Sequence, residues 1–135
     1  MKKVMPFLMF QGEAKAALEY YKTLSPDVKV LDYLEFSAEE PNPGQVKMAR
    51  LSLKAQEVLV NDSPIEHGFT FTPSFSFFLY CESADELREI LKKLADGGKV
   101  LMPADNYGFS ELFAWVEDRF GVSWQLNLAE VNWNY

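Results

Sequence analysis

The spacing of hydrophobic and polar residues changes repeatedly along the chain, and these changes divide it into short elements. Residues 4–10 form a short, mostly apolar segment that predicts a strand, and Pro6 is typical of a strand start or an edge. Over residues 12–24 the apolar positions recur at helical spacing, so an amphipathic helix is predicted up to Ser25-Pro26. Three segments rich in β-branched and aromatic residues then predict strands: 28–36, 47–53 and 57–61.

The same order of elements begins again after a proline-containing linker at residues 62–73. Residues 74–81 predict a strand, and Ser83 and Glu86 have the spacing of a capping box at a helix start. Gly97-Gly98 predicts the end of that helix, and strands follow at 99–102, 111–117 and 122–128. The chain is therefore predicted to contain two βαβββ repeats, at about 1–65 and 70–130, followed by an aromatic tail at 131–135.

This order predicts an α+β fold with curved, mostly antiparallel sheets and outer helices, in a single domain over residues 1–135. A four-stranded sheet with one helix keeps an open face, so each repeat needs another repeat to cover it, within one chain or between two. That pairing is expected to enclose a cavity. If Trp133 and Tyr135 in the tail stayed in water, each would forgo about 2 kcal/mol of stabilisation from burial of its ring. We therefore expect the tail to dock on a partner, and the chain to be a homodimer.

Composition excludes several classes of partner. Twenty acidic and thirteen basic residues leave a net charge of −7, which repels nucleic acid and anionic membranes. Aromatic residues make up 15% of the chain, which favours a thick core or an aromatic-lined cavity. The single cysteine, the lack of a secretion signal after Met1 and the lack of a long apolar run together predict a cytoplasmic protein.

Three residues have side chains that could take part in catalysis, but the sequence favours a structural or surface role for each. His67, the only histidine, lies in the polar linker without an evident partner and is expected on the surface. Cys81 ends an apolar strand and is expected to be a buried, inert thiol. Asp62 follows a strand, where it either caps the next turn, the favoured interpretation, or faces the mouth of a barrel.

One long motif carries a family resemblance. The run FAWVEDRFGVSWQLN at residues 113–127 resembles the corresponding segment of PhnB-like proteins, often named 3-demethylubiquinone-9 3-methyltransferase. Glu13-Ala14, Leu18-Glu19-Tyr20-Tyr21 and Val60-Asn61-Asp62-Ser63 agree with it. The resemblance implies the fold of the vicinal oxygen chelate superfamily, which includes glyoxalase I, extradiol dioxygenases and bleomycin-resistance proteins.

In enzymes of that superfamily, side chains from the first and fourth strands of both repeats hold a divalent metal. The resemblance puts these positions at Pro6, Leu59, about Phe75 and Gln125. A shift of register brings in only neutral oxygen atoms, those of Asn61, Ser74 and Ser76. Because one neutral amide does not hold a divalent cation, we expect no metal and no cofactor.

The expected function is binding of a small, partly apolar molecule in the cavity, with the activity, if any, unassigned. The candidate ligand-binding residues are Gln125, Trp115, Phe113, Phe75 and Asp62. The Gln125 amide is expected to face the cavity, with Phe113 and Trp115 on one face of their strand and Trp124 opposite Gln125 across its own strand.

Two alternatives stay open: a metal-dependent glyoxalase- or dioxygenase-like enzyme whose site the register hides, and a structural or regulatory dimer without a ligand. Methyl transfer is disfavoured, because the sequence has no glycine-rich turn of the kind that binds a nucleotide-derived methyl donor.

Overall fold

A computed structural model describes residues 1–129 and Trp133 and shows two compact units, Met1–Thr70 and Phe71–Tyr135. The boundary between the units lies inside the predicted linker. Within the described residues, each unit contains one four-stranded mixed sheet and one helix.

The first unit has its elements in the order βαβββ. These are β1 (Phe7–Phe10), α1 (Ala14–Tyr21), β2 (Val28–Glu35), β3 (Val46–Leu53) and β4 (Gln56–Asp62). The strands lie in the order β1-β4-β3-β2, with β1 parallel to β4 and the other pairs antiparallel.

The second unit repeats this arrangement. Its elements are β5 (Ser76–Cys81), α2 (Ala84–Ala95), β6 (Lys99–Asp105), β7 (Phe113–Glu117) and β8 (Ser123–Leu128). The sheet order is β5-β8-β7-β6, and only β5 and β8 are parallel. The predicted pair of βαβββ repeats with mostly antiparallel sheets is therefore confirmed.

Helix α1 and strand β6 differ in length from the sequence prediction. Helix α1 begins after Gly12, whose φ of 99° is left-handed, and after Tyr21 the backbone bonds tighten to three-residue turns. Strand β6 continues past Pro103 to Asp105. It tolerates the proline because β6 is an edge strand, where a missing N–H costs no ladder bond on the open side.

The core of each unit lies between its helix and one face of its sheet. Helix α1 packs against β3 and β4, and α2 packs mainly against β7 and β8. In the second unit the buried, helix-facing residues alternate along these strands, namely Ala114, Val116, Trp124 and Leu126. The opposite face of each sheet carries no helix of its own unit, and we call it the open face.

Helix α2 begins as the capping-box spacing predicts. The Ser83 hydroxyl accepts a hydrogen bond from the backbone N–H of Glu86 over 3.1 Å, and the Glu86 carboxylate accepts one from the N–H of Glu82 over 2.9 Å. At the other end Gly97 has a φ of 76° and stops the helix.

Among the described residues, no helix is both long and apolar enough to cross a membrane. Of the tail, Trp133 is 84% exposed, and Tyr135 lies outside the described residues. Docking of the tail on a partner stays a prediction.

Candidate functional site

The open face of the second sheet brings Gln125 and Trp115 together. Gln125 on β8 lies opposite Phe78 on β5 and Trp115 on β7, and Trp115 in turn lies opposite Met102 on β6. Residues paired across strands point to the same face, so these four side chains form one row across the sheet. Gln125 and Trp115 are half-buried there, whereas the neighbouring Trp124 is buried on the helix-facing side.

A second row runs beside the first and is strongly aromatic. Asn127 lies between Tyr80 on β5 and Phe113 on β7. The Phe113 ring centre is 6.3 Å from that of Phe78 and 5.0 Å from that of Phe109. We call the following set the aromatic cluster: Phe78, Tyr80, Tyr107, Phe109 and Phe113. Apart from the buried Phe113, its rings are partly exposed, as Phe78 is at 38%.

A hydrogen bond to Ser123 fixes the indole ring of Trp115. Its Nε1–H donates to the Ser123 hydroxyl over 2.8 Å, and that hydroxyl shares a 2.6 Å hydrogen bond with Ser76. Ser123 is buried, so the bond is protected from water. The ring is therefore held in one orientation beside Gln125.

Phe75 lies apart from this row. Strand β5 begins one residue later, and the Phe75 ring meets Phe77 edge-on at 5.5 Å. Phe77 contacts the buried Trp124 at 5.0 Å, on the helix-facing side of the sheet. In the strand register, Phe78 rather than Phe75 is therefore the neighbour of Gln125.

Asp62 belongs to the first unit, and its carboxylate binds three backbone amides. Oδ1 accepts hydrogen bonds from the N–H groups of Gly12 at 2.8 Å and Ala14 at 3.0 Å, while Oδ2 accepts one from Val46 at 2.9 Å. The side chain is buried and ties the end of β4 to the starts of α1 and β3. Asp62 therefore acts as a cap, but for backbone that is distant in sequence. The sequence analysis had favoured a cap of the turn directly after Asp62.

The open face of the first unit is charged as well as apolar. Phe7, Leu59, Arg50 and Asp32 lie in one row across β1, β4, β3 and β2. The Arg50 guanidinium lies 2.6 Å from Asp32 and 2.8 Å from Glu57. The hydrogen bonds from Arg50 and from Lys3 lower the pKa of the Glu57 carboxyl.

The register also redefines the four positions at which the sequence resemblance implied metal ligands. Leu59 has Phe7 as its β1 neighbour, one residue beyond the expected Pro6, and Gln125 has Phe78. The four positions therefore hold two phenylalanines, a leucine and one amide. Such a set does not fit a divalent cation, which needs three or four donor atoms. Among the described residues, no three His, Cys, Asp or Glu side chains converge on a point where a metal would bind.

His67 and Cys81 have specific surroundings. His67 is half-buried, with Nε2 3.0 Å from the Ser63 hydroxyl and its ring stacked 4.7 Å from Phe69, which the linker sequence did not indicate. Cys81 is buried, and burial, with the nearby Glu86 carboxylate, raises the pKa of its thiol to about 11. The thiol is therefore protonated at neutral pH, as expected for an inert cysteine.

Comparison with known proteins gives the family. The model of the family described as 3-demethylubiquinone-9 3-methyltransferase matches residues 2–127. The chain belongs to this family. A PhnB protein from Bacillus cereus, which carries that methyltransferase name, is 39% identical over 95% of this chain and 100% of its own, with a TM-score of 0.90.

More distant structures extend the family's fold. Protein PA1353 from Pseudomonas aeruginosa is 26% identical over 96% of this chain and 98% of its own, with a TM-score of 0.80. A glyoxylase/bleomycin resistance protein/dioxygenase domain from Frankia shares the fold, with a TM-score of 0.67. It is 13% identical over 96% of this chain and 99% of its own. No curated protein matches this sequence.

The second repeat of this chain contains open-face residues that the sequence analysis did not single out. Phe78 and Asn127 lie on the open face beside the predicted candidates. Phe77 and Phe78 are adjacent aromatic residues on opposite faces, so composition does not distinguish the outward ring from the inward one. The partner of Gln125 becomes apparent only from the pairing of β5 with β8.

Proposed function

We propose that this family member binds a small, partly apolar molecule on the open face of its second sheet. The observation that carries the proposal is the row in which the half-buried Gln125 amide lies between Phe78 and Trp115. Aromatic rings supply apolar contact area, and an amide supplies both a donor and an acceptor that fix a ligand's orientation. The buried Phe113 ring packs against Phe78 and Phe109, whose partly exposed rings extend the apolar part of this surface.

The proposal includes binding without a metal. Its support is the donor set at the four superfamily positions, where Gln125 is the one side chain with a coordinating atom. A glyoxalase- or dioxygenase-like metal enzyme would need further ligands at these positions.

Methyl transfer, which the family's name describes, is not part of the proposal. Glu82 and Ser83 connect the parallel strand β5 to α2 without a glycine. In the first repeat Gly12 lies in the equivalent connection, but its N–H is bound by Asp62. Neither connection offers the glycine-rich turn that usually holds a nucleotide-derived methyl donor. We propose the cytoplasm as the compartment, where an unpaired Cys81 stays reduced.

The test is a screen of small aromatic and aliphatic compounds against ¹⁵N-labelled protein, with the shifted amides used to locate binding. Compounds that bind are expected to shift the resonances of Phe78, Trp115 and Gln125. The substitution Gln125→Leu is expected to lower their affinity for the protein about tenfold. Gln56→Leu, at an exposed position of the first unit, serves as the matched control. Hits that cluster elsewhere, or that Gln125→Leu leaves unchanged, contradict the proposal.

The metal question is tested separately by elemental analysis of the purified protein. We expect no stoichiometric zinc, nickel, manganese or iron. About one equivalent of any of them that resists dialysis would favour the metal-enzyme alternative.

A further inference from the structure

Asn127 holds a buried hydrogen-bond acceptor that nothing in the described part of the chain uses. The residue is 2% exposed, and its Oδ1 atom has no hydrogen-bond partner among the described residues. An unpaired polar atom inside a protein is destabilising, so its persistence calls for a reason.

The orientation of this amide is fixed by its other end. Nδ2 donates to the backbone carbonyl oxygens of Ala129, at 3.2 Å, and Leu128, at 3.4 Å. Rotating the amide would bring Oδ1 against two carbonyl oxygens, which repel it. Ala129 has a left-handed φ of 62°, an unusual conformation for a residue with a β-carbon. The backbone thus holds the acceptor in place.

The repeat provides an independent observation. Asn61 on β4 lies two residues after Leu59, as Asn127 on β8 lies two residues after Gln125, and each is paired with the parallel first strand of its repeat. Asn61 Oδ1 is also buried without a partner among the described residues. The same open acceptor therefore occurs at the equivalent place in both units.

In the second unit this acceptor lies within the aromatic cluster. Tyr80 and Phe113 flank Asn127 across the sheet, and Gln125 lies on the same face about 7 Å along the strand, since alternate strand residues are separated by that distance. Two amides at this spacing beside aromatic rings match the dimensions of one small ring system.

We propose that the ligand is a planar aromatic compound with an N–H or O–H donor, and that Asn127 Oδ1 accepts this hydrogen. The inference rests on the proposed function and names the chemical class of its ligand. Phe78 and Tyr80 contact the ring, and Gln125 contacts the edge of the ring that lies away from this donor.

Because Oδ1 is enclosed, binding requires part of the surface to move. Tyr107 and Phe109 lie on the segment between β6 and β7, are partly exposed, and stack on each other at 6.2 Å. Both rings contact Phe113, the cross-strand neighbour of Asn127, so their displacement would open a way to Oδ1 and their resonances should shift on binding.

The experiment compares indole with 1-methylindole by NMR titration of the full chain. Both probes offer the same planar ring, and only indole has an N–H donor. We expect indole to bind about tenfold more tightly, and Asn127→Leu to reduce that ratio to near one. Asn61→Leu, the same change at the equivalent position, is the matched control and should keep the ratio.

Each outcome bears on a different part of the proposal. If wild-type protein binds both probes equally on the open face, this inference is wrong while the proposed function stands, and that comparison does not depend on the folding of a variant. If neither probe binds while the compound screen gives hits on the open face, this inference alone fails; if the screen gives no hits there either, the proposed function fails with it. If Asn61→Leu abolishes the preference for indole over 1-methylindole and Asn127→Leu keeps it, the acceptor lies in the first unit. That result would overturn the assignment to Asn127.

Discussion

Trp124 Nε1 donates a 2.9 Å hydrogen bond to Oδ2 of Asp118, inside the core of the second unit. Oδ1 of Asp118 accepts from the N–H groups of Phe120, at 2.8 Å, and Val122, at 3.1 Å. Gly121, with a φ of 89°, completes the turn between β7 and β8. This part of residues 113–127 therefore has a structural role, in the turn that leads into β8, the strand that carries Gln125.

We predict that Asp118→Ala lowers the free energy of unfolding by about 3 kcal/mol. The change leaves the indole N–H of Trp124 and the amides of Phe120 and Val122 without their acceptor in a buried site. Urea unfolding followed by circular dichroism measures this. Asp96→Ala is the control, because the Asp96 side chain is largely exposed in its ion pair with Arg119 and should contribute less than about 1 kcal/mol. Equal losses in the two variants would contradict the structural role.

A second prediction concerns the orientation of Trp115. Ser123→Ala removes the acceptor of its indole N–H, so the indole proton should exchange faster with solvent and its resonance should shift. Ser76→Ala breaks only the hydroxyl–hydroxyl bond and should leave that resonance almost unchanged. The same response in both variants would show that Ser123 alone does not hold the ring.

The buried Cys81 thiol gives a prediction with a defined pH window. Its pKa is raised in the folded chain from an ordinary 9.0 to about 11, first by burial and then by Glu86. The unfolded chain loses the thiol proton first, so this group's contribution to stability is complete below pH 9 and is lost as the pH rises towards 11. At pH 8 a disulfide reagent should leave the native protein unmodified and react with Cys81 in urea. Rapid reaction of the native protein would mean that the thiol is accessible.

We expect a homodimer, and the open face of the first unit suggests where to disrupt it. Leu34 and Met48 are cross-strand neighbours there, and Leu34 is 56% exposed. Apolar groups at such a site favour contact with a second copy. Sedimentation should give twice the chain mass of 15.5 kDa, with Leu34→Glu weakening association. Val4→Glu, at an exposed position before β1, should not weaken it, and a wild-type monomer at micromolar concentration would contradict the expectation.

The repeat architecture could be predicted from the sequence because the patterns that mark its helices and strands lie within a few neighbouring residues. Ser83 and Glu86 specify the start of α2 by spacing alone, and Gly97 specifies its end. The candidate site depends on contacts between distant residues. Neither the capping of Gly12 by Asp62 nor the pairing of Phe78 with Gln125 has a local signature, since each depends on the register of a parallel strand pair.

The two helices differ in how their first turns are capped, and from this difference we predict an order of folding. Helix α2 takes its cap from Ser83, its immediate neighbour, whereas α1 takes its cap from Asp62, which is 48 residues beyond Ala14. A local contact forms at little cost in chain entropy, but a distant one must wait until a long loop has closed. The second helix should therefore acquire protected amides before the first. Pulse-labelling hydrogen exchange during refolding would reveal this sequence, and simultaneous protection of both helices would rule it out.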